Sequence, residues 1–321
     1  MIKLANETEA SVKRATRAAL GTTLAALCNE GLPVVAVDAD LTGSTTTKKL
    51  AEAGYPDRLF NCGIAEQNMI DVAAGLSLAG YTAFTGSFAV FGTGRAYDQI
   101  RNTVCYSKLN VKLTPTHAGI SVGPDGGSHQ MLEDISLMRG LPGMRVLVPA
   151  DYAAAESAIR LAATVDGPVY VRLGRASIPA VYQDGSELEI GKAYVLREGS
   201  DATIVACGIE VEQALKAAVA LEAEGISVEV IDAFSIKPLD EETILASVAK
   251  TGHVVTAEEH SKFGGLGSAV AELLSTQNPA PLEMVAVNDR FGKSGELSEL
   301  LPYFNLDSEA IVEAVKKVLT R

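Results

Sequence analysis

Tryptophan is absent from this 321-residue sequence, and all aromatic residues together make up 5%. The apolar mass, 47% of the chain, is therefore Ala, Val, Leu and Ile, as expected of buried parallel strands between helices. Basic residues are also scarce: 27 Lys and Arg against 40 Asp and Glu give a formal net charge of −13. That balance disfavours a nucleic-acid or anionic-membrane surface, though a few local arginines suffice to hold one phosphate. The four cysteines, Cys28, Cys62, Cys105 and Cys207, form no CxxC pair, so reduced, mostly buried thiols are expected. No apolar run reaches the length of a membrane span, and MIKLANETEASVKRAT lacks the apolar core of a signal peptide. A cytoplasmic protein is expected.

The chain is long for one domain and comfortable for two. An amphipathic helix is expected over residues 8–29, carried by Ala18, Leu20, Leu24 and Leu27. The run Val34–Val37 reads as a buried strand that ends in Asp38-Ala39-Asp40 and the polar loop LTGSTTT. Further strands are expected near residues 58–61, 81–85, 111–114, 145–148 and 168–173, with helices near 65–78, 94–107, 133–138 and 152–165. Beyond Arg175 the alternation stops. We place a first unit at 1–180, a connection at 181–200 that includes a strand, and a second α/β unit at 201–321. The second holds strands near 203–207, 228–231, 253–256 and 282–287, and helices near 211–224, 241–249, 266–274 and 307–319. The fold class expected is α/β, two doubly wound domains with mainly parallel sheets.

Three constellations carry chemistry. In FNCGIAEQNMID, Gly63 permits a sharp turn and Glu66 falls in the first turn of a helix. Alone, such a Glu is usually an acid complementing the helix dipole. In GSFAVFGTGRAYDQIR, Phe88 and Phe91 stand three apart, a spacing more often met in a core. In THAGISVGPDGGSHQ, two of the four histidines, His117 and His129, flank a glycine-rich loop that contains Asp125. A compact zinc set is not formed by two His twelve apart and one Asp.

GIAEQN followed by DGGSHQ resembles the pyrimidine-binding domain of transketolases and of 1-deoxyxylulose-5-phosphate synthase. The resemblance runs from about residue 14 to 319 and is looser after 180. It implies that Glu66 activates thiamine diphosphate, holding a ring nitrogen of its aminopyrimidine so that the coenzyme's imino tautomer forms. It implies a stacking role for Phe88 and Phe91 against that ring. Many transketolases carry a further aromatic where this chain has Gly94, so the pyrimidine pocket is expected to be roomier or closed by another group. His117 and Asp125 are implied to contact donor-sugar hydroxyls, and His129 to assist proton transfer. ATR, ADLTGS and RLGRASIP resemble the family's phosphate-binding pieces, which implies Asp40 near the coenzyme and Arg17, Ser44 and Arg175 on the substrate phosphate. The first two pieces favour transketolase over the synthase.

The second unit has one notable stretch, TAEEHSKFGGLGSAVAE. A glycine turn before a helix can cradle phosphate, but the P-loop ending is missing, and the resemblance assigns it to structure and subunit contact. His260 is a further candidate. No GDG motif occurs. In transketolases that motif and a downstream Asn hold the diphosphate and the divalent metal. The sequence therefore resembles the second half of a split transketolase. This implies a partner subunit that carries the coenzyme diphosphate and Mg or another divalent cation, and a two-plus-two heterotetramer. Three alternatives stay open: a synthase-like or sulfo-sugar enzyme, a silent regulatory scaffold, and a nucleotide-binding module. The last would want a glycine fingerprint that VVAVDADLTGS lacks.

Overall fold

The computed structural model describes residues 3–321, so Met1 and Ile2, at the start of the first expected unit, lie outside it. The larger sheet has seven strands in the order Ser235–Lys237, Arg145–Leu147, Val169–Val171, Val111–Leu113, Thr82–Gly86, Val34–Asp38, Leu59–Asn61. All neighbours run parallel except the first pair. A second sheet of five strands has the order Leu282–Val287, Val254–Ser261, Ala202–Ala206, Val228–Asp232, Tyr194–Arg197, the last antiparallel. The α/β class with parallel-dominated sheets agrees with the sequence reading. Among the described residues no helix is long and apolar enough to cross a membrane.

Strand periodicity builds the layers. Val34 and Ala36 belong to one apolar core, and Val35 and Val37 to another. Side chains of alternate residues leave opposite faces of a sheet, so a continuous apolar strand must be covered twice. The helix Ala18–Asn29 supplies one cover through Leu20 and Leu24, and the helix Glu66–Leu78 the other through Met69 and Ile70.

Four sequence expectations need correction. The helix expected over residues 8–29 is interrupted: a short helix, Glu7–Ala10, and the helix Ala18–Asn29 flank an extended segment. Residues Lys13–Ala15 instead pair antiparallel with Ser177–Pro179, with Arg14 stacked 4.0 Å over the Tyr152 ring and bonded to Asp184. Tertiary pairing overrides the local period there. The loop LTGSTTT contains a short helix, Thr42–Thr45, and Lys48–Glu52 follows as another. The helix expected over 94–107 begins at Val90 and runs in π-helical turns, Val90–Arg95 and Ile100–Tyr106, around Tyr97–Gln99. The helix Leu297–Phe304 and the strand Ser235–Lys237 were not expected. That strand crosses from the second unit into the first unit's sheet.

Candidate functional site

Val34–Asp38 has its sequence successor, Leu59–Asn61, on one side and the next strand, Thr82–Gly86, on the other. Such a reversal opens a crevice at the carboxyl ends of the strands. The chemistry-bearing residues stand on the loops that leave those ends.

After Leu59–Asn61 the chain turns through Gly63 at φ +67°. The Asn61 side chain holds this turn by accepting the Gly63 and Asp40 backbone N–H groups. Glu66 then opens the helix and is only 2% exposed. Its Oε2 accepts from Arg95 Nη1 at 2.8 Å, and the Arg95 guanidinium also lies 4.7 Å from the Phe91 ring centre.

The ring cluster continues from Phe91. Phe88 and Phe91 are stacked with centres 6.1 Å apart. Phe88 stacks on His117 at 3.8 Å, and Phe91 meets the His129 ring edge-on at 5.4 Å. A parallel bridge between Phe88 and Thr116 brings the two loops together. His117 is buried at φ +61°, and its Nδ1 lies 2.7 Å from Thr116 Oγ1. Burial, with the neighbouring cations Arg17 and Arg175 and His129, pushes His117 down to about 3. His117 is thus a neutral imidazole at physiological pH, suited to hydrogen bonding and unsuited to donating a proton as an acid.

Arg17 and Arg175 each lie close enough to His117 to disfavour its charge, and Arg175 close enough to Arg17 to disfavour that of Arg17. Arg17 Nη1 donates to the Ser44 carbonyl at 2.7 Å, and Arg175 Nη1 to the Val122 carbonyl at 2.8 Å. Burial and the Arg175 charge together lower the Arg17 pKa. Two guanidiniums within electrostatic reach of each other are suited to an anion between them.

One run of contacts therefore joins Glu66, Arg95, Phe91, His129, Phe88 and His117, with Arg17 and Arg175 within electrostatic reach of His117 and the Ser44 carbonyl bonded to Arg17. Two candidates of the first unit stand apart. Asp40 is exposed at φ +65° beside Asn61, and Asp125 is exposed at the end of the 3₁₀ turn Ile120–Asp125. Asp38 is fully buried and accepts from Leu41 N, Thr45 and Thr47, so it folds the loop rather than meeting a ligand. Sequence reasoning missed Arg95: it lies in the same aromatic segment, but its approach to Glu66, 29 residues away, is a contact that no motif shows. A cavity of about 560 Å³ between the helices Asp134–Arg139 and Leu266–Gln277 contains none of these residues.

In the second unit, the glycine turn before Leu266 carries its own anion. Glu258 accepts the Leu266 and Gly267 N–H groups at 2.8 Å, which fills the place a phosphate would take. His260 is fully buried, with Nδ1 2.7 Å from the Ser261 carbonyl, outside the run of contacts.

The residues fit one end of a thiamine coenzyme: a buried carboxyl on a rigid helix beside a pair of aromatic faces. Comparison with known proteins agrees in kind. Residues 12–180 match the family model for the transketolase pyrimidine binding domain, and residues 191–311 that for the transketolase C-terminal domain. The chain is 45% identical, over 100% of both chains, to a protein of Methanocaldococcus jannaschii provisionally named a transketolase C-terminal section. It is 44% identical to the 6-deoxy-6-sulfo-D-fructose transketolase subunit SqwH of a Clostridium species, over 90% of this chain and 89% of that one. A solved split gene transketolase, described as an inactive beta4 tetramer, is 50% identical with a TM-score of 0.87, covering 95% of this chain and 98% of that one.

Proposed function

The chain belongs to the transketolase family, as its C-terminal section, and from that premise we propose how its residues divide the work with a partner subunit. The reaction is transfer of a two-carbon ketol unit from a ketose phosphate to an aldose phosphate. Thiamine diphosphate, when bound, supplies the carbanion that accepts the ketol unit. Glu66 holds the carboxyl that favours the coenzyme's reactive tautomer, and the helix start keeps it fixed and shielded from water. Phe88 and Phe91 would hold the pyrimidine ring, and Asp40 would contact the coenzyme from the loop after Val34–Asp38. His117, neutral, bonds a sugar hydroxyl together with Asp125. His129 moves a proton at the substrate oxygens. Arg17, Arg175 and Ser44 hold the substrate's terminal phosphate.

The observation that carries the reading is the contact run from Glu66 through the Phe91, His129 and Phe88 rings to His117, with two arginines within electrostatic reach of His117. The partner subunit holds the diphosphate and the divalent cation, and two copies of each chain form the active assembly. Ile64, two residues before the buried Glu66, is 77% exposed, an apolar side chain at the site's rim that a partner would cover. That a similar split-gene chain forms an inactive tetramer supports the same division. A second reading concerns the anion alone. The relative named for a sulfo-sugar favours a sulfonate as an alternative to phosphate, since both present oxygens to guanidinium forks.

The test is calorimetric titration of thiamine diphosphate and Mg²⁺ into the chain alone and into the chain mixed with a GDG-bearing partner. Tight binding is expected only for the mixture. Stoichiometric tight binding to the chain alone would overturn the divided site.

A further inference from the structure

The loop that carries both site histidines rests on the second unit. Glu259, on the strand Val254–Ser261, is 3% exposed and its Oε1 accepts the backbone N–H of Ser121. Directly beside that bond is Gly119, at φ +77°, where an added Cβ would overlap the Glu259 carboxylate. Glu259 is itself held in place. Arg172 Nη2 donates to the Glu259 carbonyl at 2.9 Å, and Arg172 Nε to Asp134 at 2.7 Å. A second hold lies at the loop's far end. Gln130 Nε2 donates to the carbonyls of Ile120 and Lys293, both at 2.9 Å. An added Cβ at Gly127 would come within 2.7 Å of the Gly292 carbonyl oxygen. These glycines are therefore needed for close approach to the second unit, besides any turn they make.

We infer that Glu259 is a positioning residue: through the backbone at Gly119–Ser121, the second unit fixes the height of His117 and the path of the chain to His129. The carboxylate touches no site residue's side chain in the contact run. It acts on the loop's backbone, two to four residues past His117. Its catalytic consequence rests on the proposed role of the histidines, whereas its effect on loop order does not.

Hydrogen–deuterium exchange on the full chain tests the loop. Glu259→Ala should speed exchange over residues 118–130 at least tenfold and leave the strand Val34–Asp38 protected. Glu259→Gln, which keeps an oxygen to accept from Ser121, should retain parental protection. Parental protection of 118–130 in Glu259→Ala overturns the inference, as does loosening of the whole chain that Glu259→Gln fails to rescue. Should Glu259→Ala not fold, Gly119→Ala presses on the same contact from the loop side. Local loosening supports the inference and an unchanged loop overturns it. In the reconstituted enzyme, Glu259→Ala should raise KM for the ketose phosphate about tenfold through His117 and lower kcat as well through His129, and Glu259→Gln should restore both. An unchanged KM overturns the catalytic part. If the parent pair itself shows no ketol transfer, the proposed function fails while the exchange result stands.

Discussion

Arg95 and Glu66 form an ion pair at 2.8 Å in which the carboxylate is 2% exposed and the guanidinium side chain 49% exposed. The cation lies on the solvent side of a buried acid and also covers the Phe91 ring. Removing Arg95 would leave a buried carboxylate without its strongest partner. Arg95→Gln should therefore cost about 1–3 kcal/mol of stability, measured by urea unfolding. Adding Glu66→Gln should recover much of that loss, because the two changes share one contact. Additive losses would mean that the pair does not couple.

Glu66→Ala should lower ketol transfer by the reconstituted pair about 100-fold or more, the scale on which positioned acids and bases act. Its helix should persist, since Met69, Ile70 and Ala73 hold it to the sheet. Circular dichroism checks the helix and single-turnover kinetics the activity. Retention of activity within an order of magnitude would remove Glu66 from its role.

The paired arginines predict a selective defect. Each charge-assisted hydrogen bond contributes about 1.5–3 kcal/mol. Arg17→Ala or Arg175→Ala should thus raise KM for a phosphorylated ketose about 10- to 100-fold, with a ketose lacking a terminal anion unaffected. Arg175→Lys should not restore binding, because a lysine cannot both reach the Val122 carbonyl and present a planar fork. Equal loss on both substrates would point to a folding defect.

Stability should depend on pH through Glu259. Burial, opposed in part by Arg172, pushes its carboxyl up to about 7. Between the ordinary carboxylate range and that value the folded chain binds the extra proton and the unfolded chain does not. This contribution to stability is therefore full at acid pH and is lost as pH rises toward 7. Glu259→Gln lacks the transition, so its Tm relative to the parent should climb between about pH 5 and 7.5. His117, pushed down to about 3, works in the opposite sense, adding stability as pH rises toward its ordinary range, and is common to both proteins. A constant Tm difference across this window would argue against a raised Glu259.

The sheets were legible because their signal is local. Val34–Val37 and the helix after Gly63 announce themselves by period and glycine placement, and the structure sets them within a residue or so. Lys13–Ala15 and Ser235–Lys237 escaped because KRA and SIK hold no apolar run, and their partners lie more than eighty residues away. The site divides along the same line. Glu66, Phe88, Phe91, His117 and His129 stand in recognisable strings, and their assembly follows from loops leaving one sheet edge. Arg95, Glu259 and Gln130 act through contacts that no string reveals, Glu259 reaching 138 residues along the chain to Ser121.

The strand Ser235–Lys237 has a bearing on where this polypeptide tolerates being cut. It caps Arg145–Leu147, and Val148 N–H donates to the Phe234 carbonyl at 2.8 Å. A fragment ending near residue 190 would bare that row of amides and carbonyls beside Val146 and Leu147, an invitation to pair with its neighbours in solution. Severed halves should precipitate or reassociate, and only fusions placed outside both sheets should stay soluble.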